Sequence, residues 1–571
     1  MADQRAQYTE EAIGAGHPTK ADTINRLALI GHNTDGSHKF WIDPVEVYGS
    51  ITSANIASAI ASLPSTGGTI VFRGACVLST AITVNKSNVT FLGLPGSKVT
   101  ASADIVAFDY STTDNIENIT FEGMNFEGGT VDSGSYPRRS RTNNTGISCA
   151  IQLRGDLSGA VSLTNTITNV AVRNCTFKNI AASLPVLLDG IRGKAEITGS
   201  HFYNTLDCGW IYCERAICTD NVSTKSADNG FSISRGNTNV VCTGNQVDLC
   251  AYSGIYIAGF NVTPGPKYFE CVGNIITEPG RMGIELTMGP QFGVVSGNTI
   301  RKAYRGPTDD RNDSYGAGIL VNPYPTSGTI TTYAKGLNIT GNMIHECERA
   351  GIQARGIQYS SISDNLITDT GSQYLVDGVT SATDNYGITF PSTYGSTISY
   401  CEVKNNTIAD TRGTPYMYFY IYANAPTYCN FTDNKGFGIT DSTRKYITAG
   451  YVADTGLTNN FEARTAHELK TTDSGFFFID TAGYARVGWV KLTGDSPGIG
   501  FGSSANVEFK KATTAGIDDV TATYTTYAQL ESAGDFKLTQ ANKGLIVRKP
   551  DNSGYIRIRV DNAGAIVTET A

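Results

Sequence analysis

Charge is scarce in this chain. Only 17% of its 571 residues are Asp, Glu, Lys or Arg, and the net charge is −8. A nucleic-acid partner calls for a basic face, so that class is set aside. Long apolar runs are missing too. Phe476-Phe477-Phe478-Ile479 is among the longest, far short of the roughly 20 residues a helix needs to cross a bilayer. The opening MADQRAQYTE has no apolar stretch of the kind a secretory signal carries. The twelve cysteines are scattered. Cys208 and Cys213 do not recur in a second pair, so no metal site is expected. Cys175, Cys242, Cys271, Cys401 and Cys429 lie in strand-like runs and read as reduced core residues, which suits folding in a cytoplasm. His-Glu-x-x-His and phosphate-loop motifs are absent. Zinc hydrolysis and nucleotide chemistry therefore lack support, and no cofactor is expected.

What the chain has is a repeat. Its 62 glycines, with abundant Thr, Ser and Asn, suit turn-rich β structure. A unit of the form small/polar-Asn-x-apolar begins at Arg173-Asn174-Cys175. It recurs at Asn221, Asn245, Asn274, Asn298, Asn342, Asn365, Asn406 and Asn434, with Ser200 as a serine variant. A second unit, Gly followed by an apolar residue, keeps phase with it: Gly209-Trp210, Gly230-Phe231, Gly254-Ile255, Gly283-Ile284, Gly318-Ile319, Gly351-Ile352 and Gly387-Ile388. Two short strand signals per 21–29 residues cannot bury their own apolar faces, but stacked periods can. The spacing predicts an all-β chain built on a right-handed parallel β-helix, with asparagines stacked as a ladder along the axis. Two periods are long. Extra residues, mainly 303–317 and 372–384, are expected to enter at one corner just before the Gly-apolar strand and to wall a binding face.

The ends differ from the middle. Residues 19–31 predict a short helix within a docking segment, 1–39. Residues 53–63 predict a second helix that caps the open first coil of a β-helix spanning 40–450. From 451 to 571 the Asn/Gly phase is lost and alternation takes over, at 476–479, 485–492, 507–510, 545–547 and 555–560. That pattern predicts a small β-sandwich or a trimer-forming β domain.

Several stretches resemble one family. Residues 11–38, with Gly16-His17-Pro18, Asn25-Arg26 and His32-Asn33-Thr34-Asp35-Gly36-Ser37-His38, resemble the N-terminal segment of phage tail fibres and tailspikes. Residues 53–93, with Gly67-Gly68-Thr69-Ile70-Val71-Phe72 and Val89-Thr90-Phe91-Leu92-Gly93, resemble the opening of pectate-lyase-like β-helices. Residues 543–571 resemble the closing segment of tail-fibre proteins. The chain is thus similar to capsule depolymerase tailspikes of tailed bacteriophages. The resemblance implies a homotrimer on the virion tail, bacterial capsular polysaccharide as substrate, and docking onto another tail or adaptor protein through the short N-terminal segment.

The chemistry is then a matter of position. In each Gly-apolar strand the apolar residue faces inward, so the residue after it faces out. That column includes Tyr256, Glu285 and Gln353, with Arg281, Arg349 and Arg355 close by. Four residues past each ladder Asn stand Glu278, Lys302, Glu346, Asp369 and Asp410. Glu346 and Asp369 fall on consecutive coils between the two insertions. They are the first candidates for a paired acid and base, with Glu285 as rival. Arg349, Gln353 and Arg355 are expected on the floor beside them, with Tyr256 and Arg281 also binding substrate. Asp309, Asp310 and Asp313 are expected on one wall, and Asp377 and Asp384 on the other. Solvated surface residues and turn caps are the competing readings. The run Asp309-Asp310-Arg311-Asn312-Asp313 lacks the Gly and final Glu of an EF-hand loop, so calcium is not assigned. Three functions compete: an endo-acting glycosidase, a lyase with a base such as Tyr256 and arginines on a uronate, and a fibre that only binds glycan.

Overall fold

The computed structural model describes residues 52–110, 114–129, 146–157, 164–181, 183–259, 265–304, 316–326, 329–371, 385–391, 398–423 and 426–439. It also describes the strand Trp41–Ile42 and isolated strands from 456 onward. The helix expected at 19–31, both expected cleft walls and the Asp309–Asp313 run lie outside those residues. The chain divides into two units, residues 1–465 and 466–571.

The first unit is a right-handed parallel β-helix. Each coil contributes a strand to sheet A, turns at a corner into sheet B, turns again into sheet C, and returns. One coil reads Gln291–Ser296 in sheet A, Thr299–Arg301 in sheet B and Ala317–Val321 in sheet C. Sheet C stacks twelve parallel strands, from Ile82–Thr83 to Phe419–Ala423. Neighbouring strands lie ~4.8 Å apart, so like residues sit above like. Phe126, Phe177 and Phe202 stack at 5.3 and 4.8 Å, and Ile255, Ile284, Ile319, Ile352 and Ile388 form an inward column without exposure.

The corner between sheets A and B holds the asparagine ladder. From Asn221 through Asn245, Asn274, Asn298, Asn342, Asn365 and Asn406 to Asn434, each Nδ2 donates to the next Oδ1 at 2.8–3.0 Å. Each backbone N–H along it donates to the same next oxygen, as Asn274 N does to Asn298 Oδ1 at 2.9 Å. The residue before each rung turns the chain with left-handed backbone. Gly244, Gly273, Gly297 and Gly341 do so, and Asp220, Asp364, Asn405 and Asp433 substitute for glycine. Asn174 has φ 52° and belongs to this turning column. The ladder slot of its coil is Cys175, whose N–H donates to Ser200 Oγ at 3.1 Å. The first expected rung is therefore displaced by one residue.

A second register differs from expectation. Gly209-Trp210 does not align with Gly230-Phe231. Cys208 pairs with Phe231, Gly209 with Ser232 and Trp210 with Ile233. Trp210 is wholly buried, and its Nε1 donates to the Ala195 carbonyl at 3.2 Å. Ser232 therefore follows Gly209 in the outward column, and Ile211 falls opposite Ser234.

The long coil between Asn298 and Asn342 carries extra residues at two corners, not one. Beyond residues 305–315, a hairpin of Tyr324–Thr326 and Thr329–Thr332 stands between the sheet C and sheet A strands. At the N-terminal end the helix Ser53–Ser62 packs Ile56, Ala59 and Ile60 onto the first coils, capped by Thr52 accepting from the Asn55 N–H. All twelve cysteines are free and buried. In the second unit the described strands pair antiparallel in three small sheets: 477–479 with 485–487; 507–512, 524–530 and 536–538; and 544–548, 555–560 and 566–570. The strands at 524–530, 536–538 and 566–570 were not expected from alternation.

Candidate active site

The outward column of sheet C runs Asp109, Gln152, Leu187, Gly209, Ser232, Tyr256, Glu285, Leu320, Gln353, Thr389, Tyr422. Its character changes midway. Around Ser232 and Tyr256 it is acidic and hydrogen-bonded. Around Leu320 and Gln353 it is covered.

Asp207 stands just before its strand and is 6% exposed. Asp228 and Asn229 precede the next one. The Asn229 amide nitrogen lies 3.3 Å from Asp207 Oδ2 and 3.2 Å from Asp228 Oδ1, so one amide spans two carboxylates. Burial, joined by the Asp228 charge, pushes the Asp207 carboxyl far above the ordinary range, against hydrogen bonds from Asn229 and Ser232. Two coils further on, the Ser253 hydroxyl donates to Glu285 Oε2. Burial raises the Glu285 carboxyl to about 7; Ser253 and the Arg281 charge oppose the rise, and Asp228 adds to it. Tyr256, between the two groups, is pushed to about 12 by burial and by the Glu285 charge. Arg281 lies over the Tyr252 ring, 3.6 Å from its centroid. The patch can hold protons at neutral pH, which is what an acid catalyst requires.

Arg349, Gln353 and Arg355 share one coil on the outward side of the strand Ala350–Ala354, as expected from sequence. They are nonetheless buried, at 8, 3 and 6% exposure. Beside them Met282, Ala317, Leu320 and Ala350 form a small apolar cluster outside the main core, with Tyr386 against it.

Glu346 and Asp369 lie at another place, the corner between sheets B and C. Both take left-handed backbone, φ 54° and 55°, like Glu278 and Lys302 in the same column. They converge on one imidazole: His345 Nε2 is 3.5 Å from Glu346 Oε2, and Nδ1 is 3.6 Å from Asp369 Oδ2. Asp369 also accepts from the Thr411 N–H at 2.6 Å and from its hydroxyl, which is the geometry of a turn cap. Asp410 is occupied by Arg412 and the Tyr416 and Met417 N–H groups. No group of metal-ligating side chains occurs among the described residues. Asp313 lies outside them.

Sequence reasoning passed over Asp207, Asp228 and Ser253. The usable signal was that Asp228-Asn229 and Tyr252-Ser253 stand at the same offset before their glycines as Arg281-Met282. Asp207 stands at that offset before Gly209 as well; the structure sets Cys208, not Trp210, opposite Phe231.

A family model described as a right-handed β-helix region matches residues 267–450. No curated protein matches the sequence. Among solved structures, the catalytic unit of the GH87 α-1,3-glucanase of Streptomyces thermodiastaticus is 15% identical, with TM-score 0.42, over 74% of this chain and 69% of that one. The A-module of the Azotobacter vinelandii mannuronan C-5 epimerase AlgE4 is 12% identical, with TM-score 0.42, over 72% and 97%. PfbA, a surface adhesin of Streptococcus pneumoniae, is 12% identical, with TM-score 0.37, over 72% and 90%.

Proposed function

We propose that this protein is a phage tailspike depolymerase that cleaves bacterial capsular or surface polysaccharide as an endo-acting glycosidase. The observation that carries the reading is the carboxyl patch on sheet C. Asp207 and Asp228 flank one amide, and Asp207 and Glu285 are held towards the protonated form. Glycoside hydrolysis needs one carboxyl that is protonated near neutral pH and one that is ionised. In this reading Asp207 or Glu285 protonates the departing oxygen, and Asp228 serves as base or nucleophile. Arg281 and Tyr256 border the sugar. A lyase using Tyr256 as base is less well supported, because a phenol raised to about 12 stays protonated where a base must be free. The virion role, the homotrimer and the docking of residues 1–39 rest on the resemblance of residues 11–38, 53–93 and 543–571 to tail proteins.

The test is product analysis on purified capsular polysaccharides. New reducing ends without near-ultraviolet absorbance are expected. An unsaturated sugar would make the enzyme a lyase. An absence of products from every polymer that the protein binds would make it a binding fibre.

A further inference from the structure

One position in the sheet A strands takes left-handed backbone along much of the solenoid. On N-terminal coils it is filled by residues that tolerate this conformation: Asn88 (φ 57°), Asn118 (57°), Asn169 (57°), Gly193 (63°) and Asn239 (49°). Further along, the register leads from Asn239 to Tyr268, Phe292, Gly336, Tyr359, Tyr400 and Tyr428. The five aromatics have φ between 49° and 55°. For a bulky L-residue that conformation is strained. Burial does not compensate, since the five are 47–60% exposed. They form two stacked blocks. Tyr268 and Phe292 stack at 5.5 Å; Tyr359, Tyr400 and Tyr428 stack at 4.9 and 5.0 Å. Gly336 interrupts them, and Phe292 leans over it. Ring stacking offsets part of the backbone cost. Asparagine tolerates this backbone better and puts no apolar ring in water, as on the earlier coils.

We propose that this ladder is a binding site for a neutral glycan lying along the solenoid axis, separate from the carboxyls of sheet C. Three observations select that occupant. The ladder is one side chain wide. With half of each ring exposed, it offers roughly 400–600 Å², less than the ~800 Å² per partner of a stable protein interface. Its axial repeat of ~4.8 Å does not suit an extended peptide, which rises ~3.3 Å per residue. The flanking columns carry no net charge and, apart from Val294, are polar beside the rings: Gln358, Ser361 and Asn430 stand among Lys267 and Lys335 on one side and Glu270 and Glu402 on the other. Ring edges and phenol hydroxyls, flanked by amides and hydroxyls, offer apolar contact and hydrogen bonds but no field to attract a polyanion.

The test is affinity electrophoresis of the full chain in native gels cast with a neutral glucan, a neutral mannan or, as control, an anionic uronan. The variant is Tyr359→Asn with Tyr400→Asn, since asparagine already serves this column on other coils. All samples carry Asp207→Asn, to suppress digestion of the gel. At least one neutral polymer should retard the parent, and the double variant should bind it tenfold or more weakly at unchanged light-scattering mass. Equal retardation of parent and variant would overturn the proposal, as would no retardation in any neutral gel. A change of oligomeric mass in the variant would also overturn it, by assigning the ladder to contact between copies. Because binding is read without turnover, failure here leaves the sheet C carboxyls to be judged by product analysis alone.

Discussion

Glu285 shows how position on a solenoid sets the chemistry of a side chain. It faces outward, yet neighbours on adjacent coils withdraw it from water, and its carboxyl rises from 4.5 to about 7. A general acid of that kind is competent only while protonated. Turnover should therefore fall on the alkaline side of neutrality, and Glu285→Gln or Asp207→Asn should lower kcat by about 10²–10⁴-fold. Glu346→Gln and Asp369→Asn, at the separate corner, are the matched comparison. If they lose turnover while the sheet C variants keep it, the catalytic site is at His345. The same shift has a consequence for stability. The folded protein binds the Glu285 proton more tightly than the unfolded chain, so wild type loses stability as pH rises from about 4.5 through about 7. Glu285→Gln removes that loss. Its melting temperature relative to wild type should rise between pH 4 and pH 8, and a flat difference across that range would contradict the assignment.

At the scale of the element, the A–B corner stands on hydrogen bonds that only a carboxamide can make. Asn298 accepts from Asn274 at two nitrogens and donates to the Cys271 carbonyl and to Asn342 Oδ1, all at 2.9 Å. Asn298→Leu keeps the size but orphans at least one buried N–H and one buried carbonyl. At about 1–3 kcal/mol for each unsatisfied group, the loss should be about 2–6 kcal/mol in denaturant unfolding. The glycines that open the sheet C strands work by space. A Cβ on Gly283 would lie 2.4 Å from Ile300 Cγ2 and 2.5 Å from the Gly318 carbonyl oxygen. Gly283→Ala should cost about 1–3 kcal/mol by overpacking. An unchanged unfolding midpoint would mean that the coil shifts freely there.

At the scale of the whole molecule, a homotrimer is expected from the resemblance to tail proteins, and closed threefold symmetry would shelter long solenoid faces. Light scattering should give three times the 60.9 kDa chain mass, and a monomer at micromolar concentration would remove this expectation. Deleting residues 1–38 should leave depolymerisation intact, because every carboxyl of either candidate site lies beyond residue 200. If a truncated protein of unchanged oligomeric mass lost activity, the docking role of that segment would fail.

The sequence by itself determined the solenoid. Asparagine and glycine recur in phase because every coil meets the same two steric demands, a buried amide at one corner and no Cβ at another. A demand repeated on each coil leaves a periodic trace. The inward and outward sides of the Ile284 and Ile352 strands were legible for the same reason, and the capping helix over Ser53–Ser62 from its own apolar spacing. The site was only partly so. Glu285, Tyr256 and Arg281 could be named from the outward column, but their electrostatics depend on what stands one and two coils away. The Trp210 coil is shifted by two residues, so Asp207 meets the Asn229 amide instead of stacking directly on Asp228. Asn174 likewise sits one place off the ladder. Left-handed aromatics at Tyr359 and Tyr400 leave no local signal, since φ is set by the coils on either side. Periodicity reports what each coil shares. Which unlike residues become neighbours is decided by register and stacking, and those exist only in the folded chain.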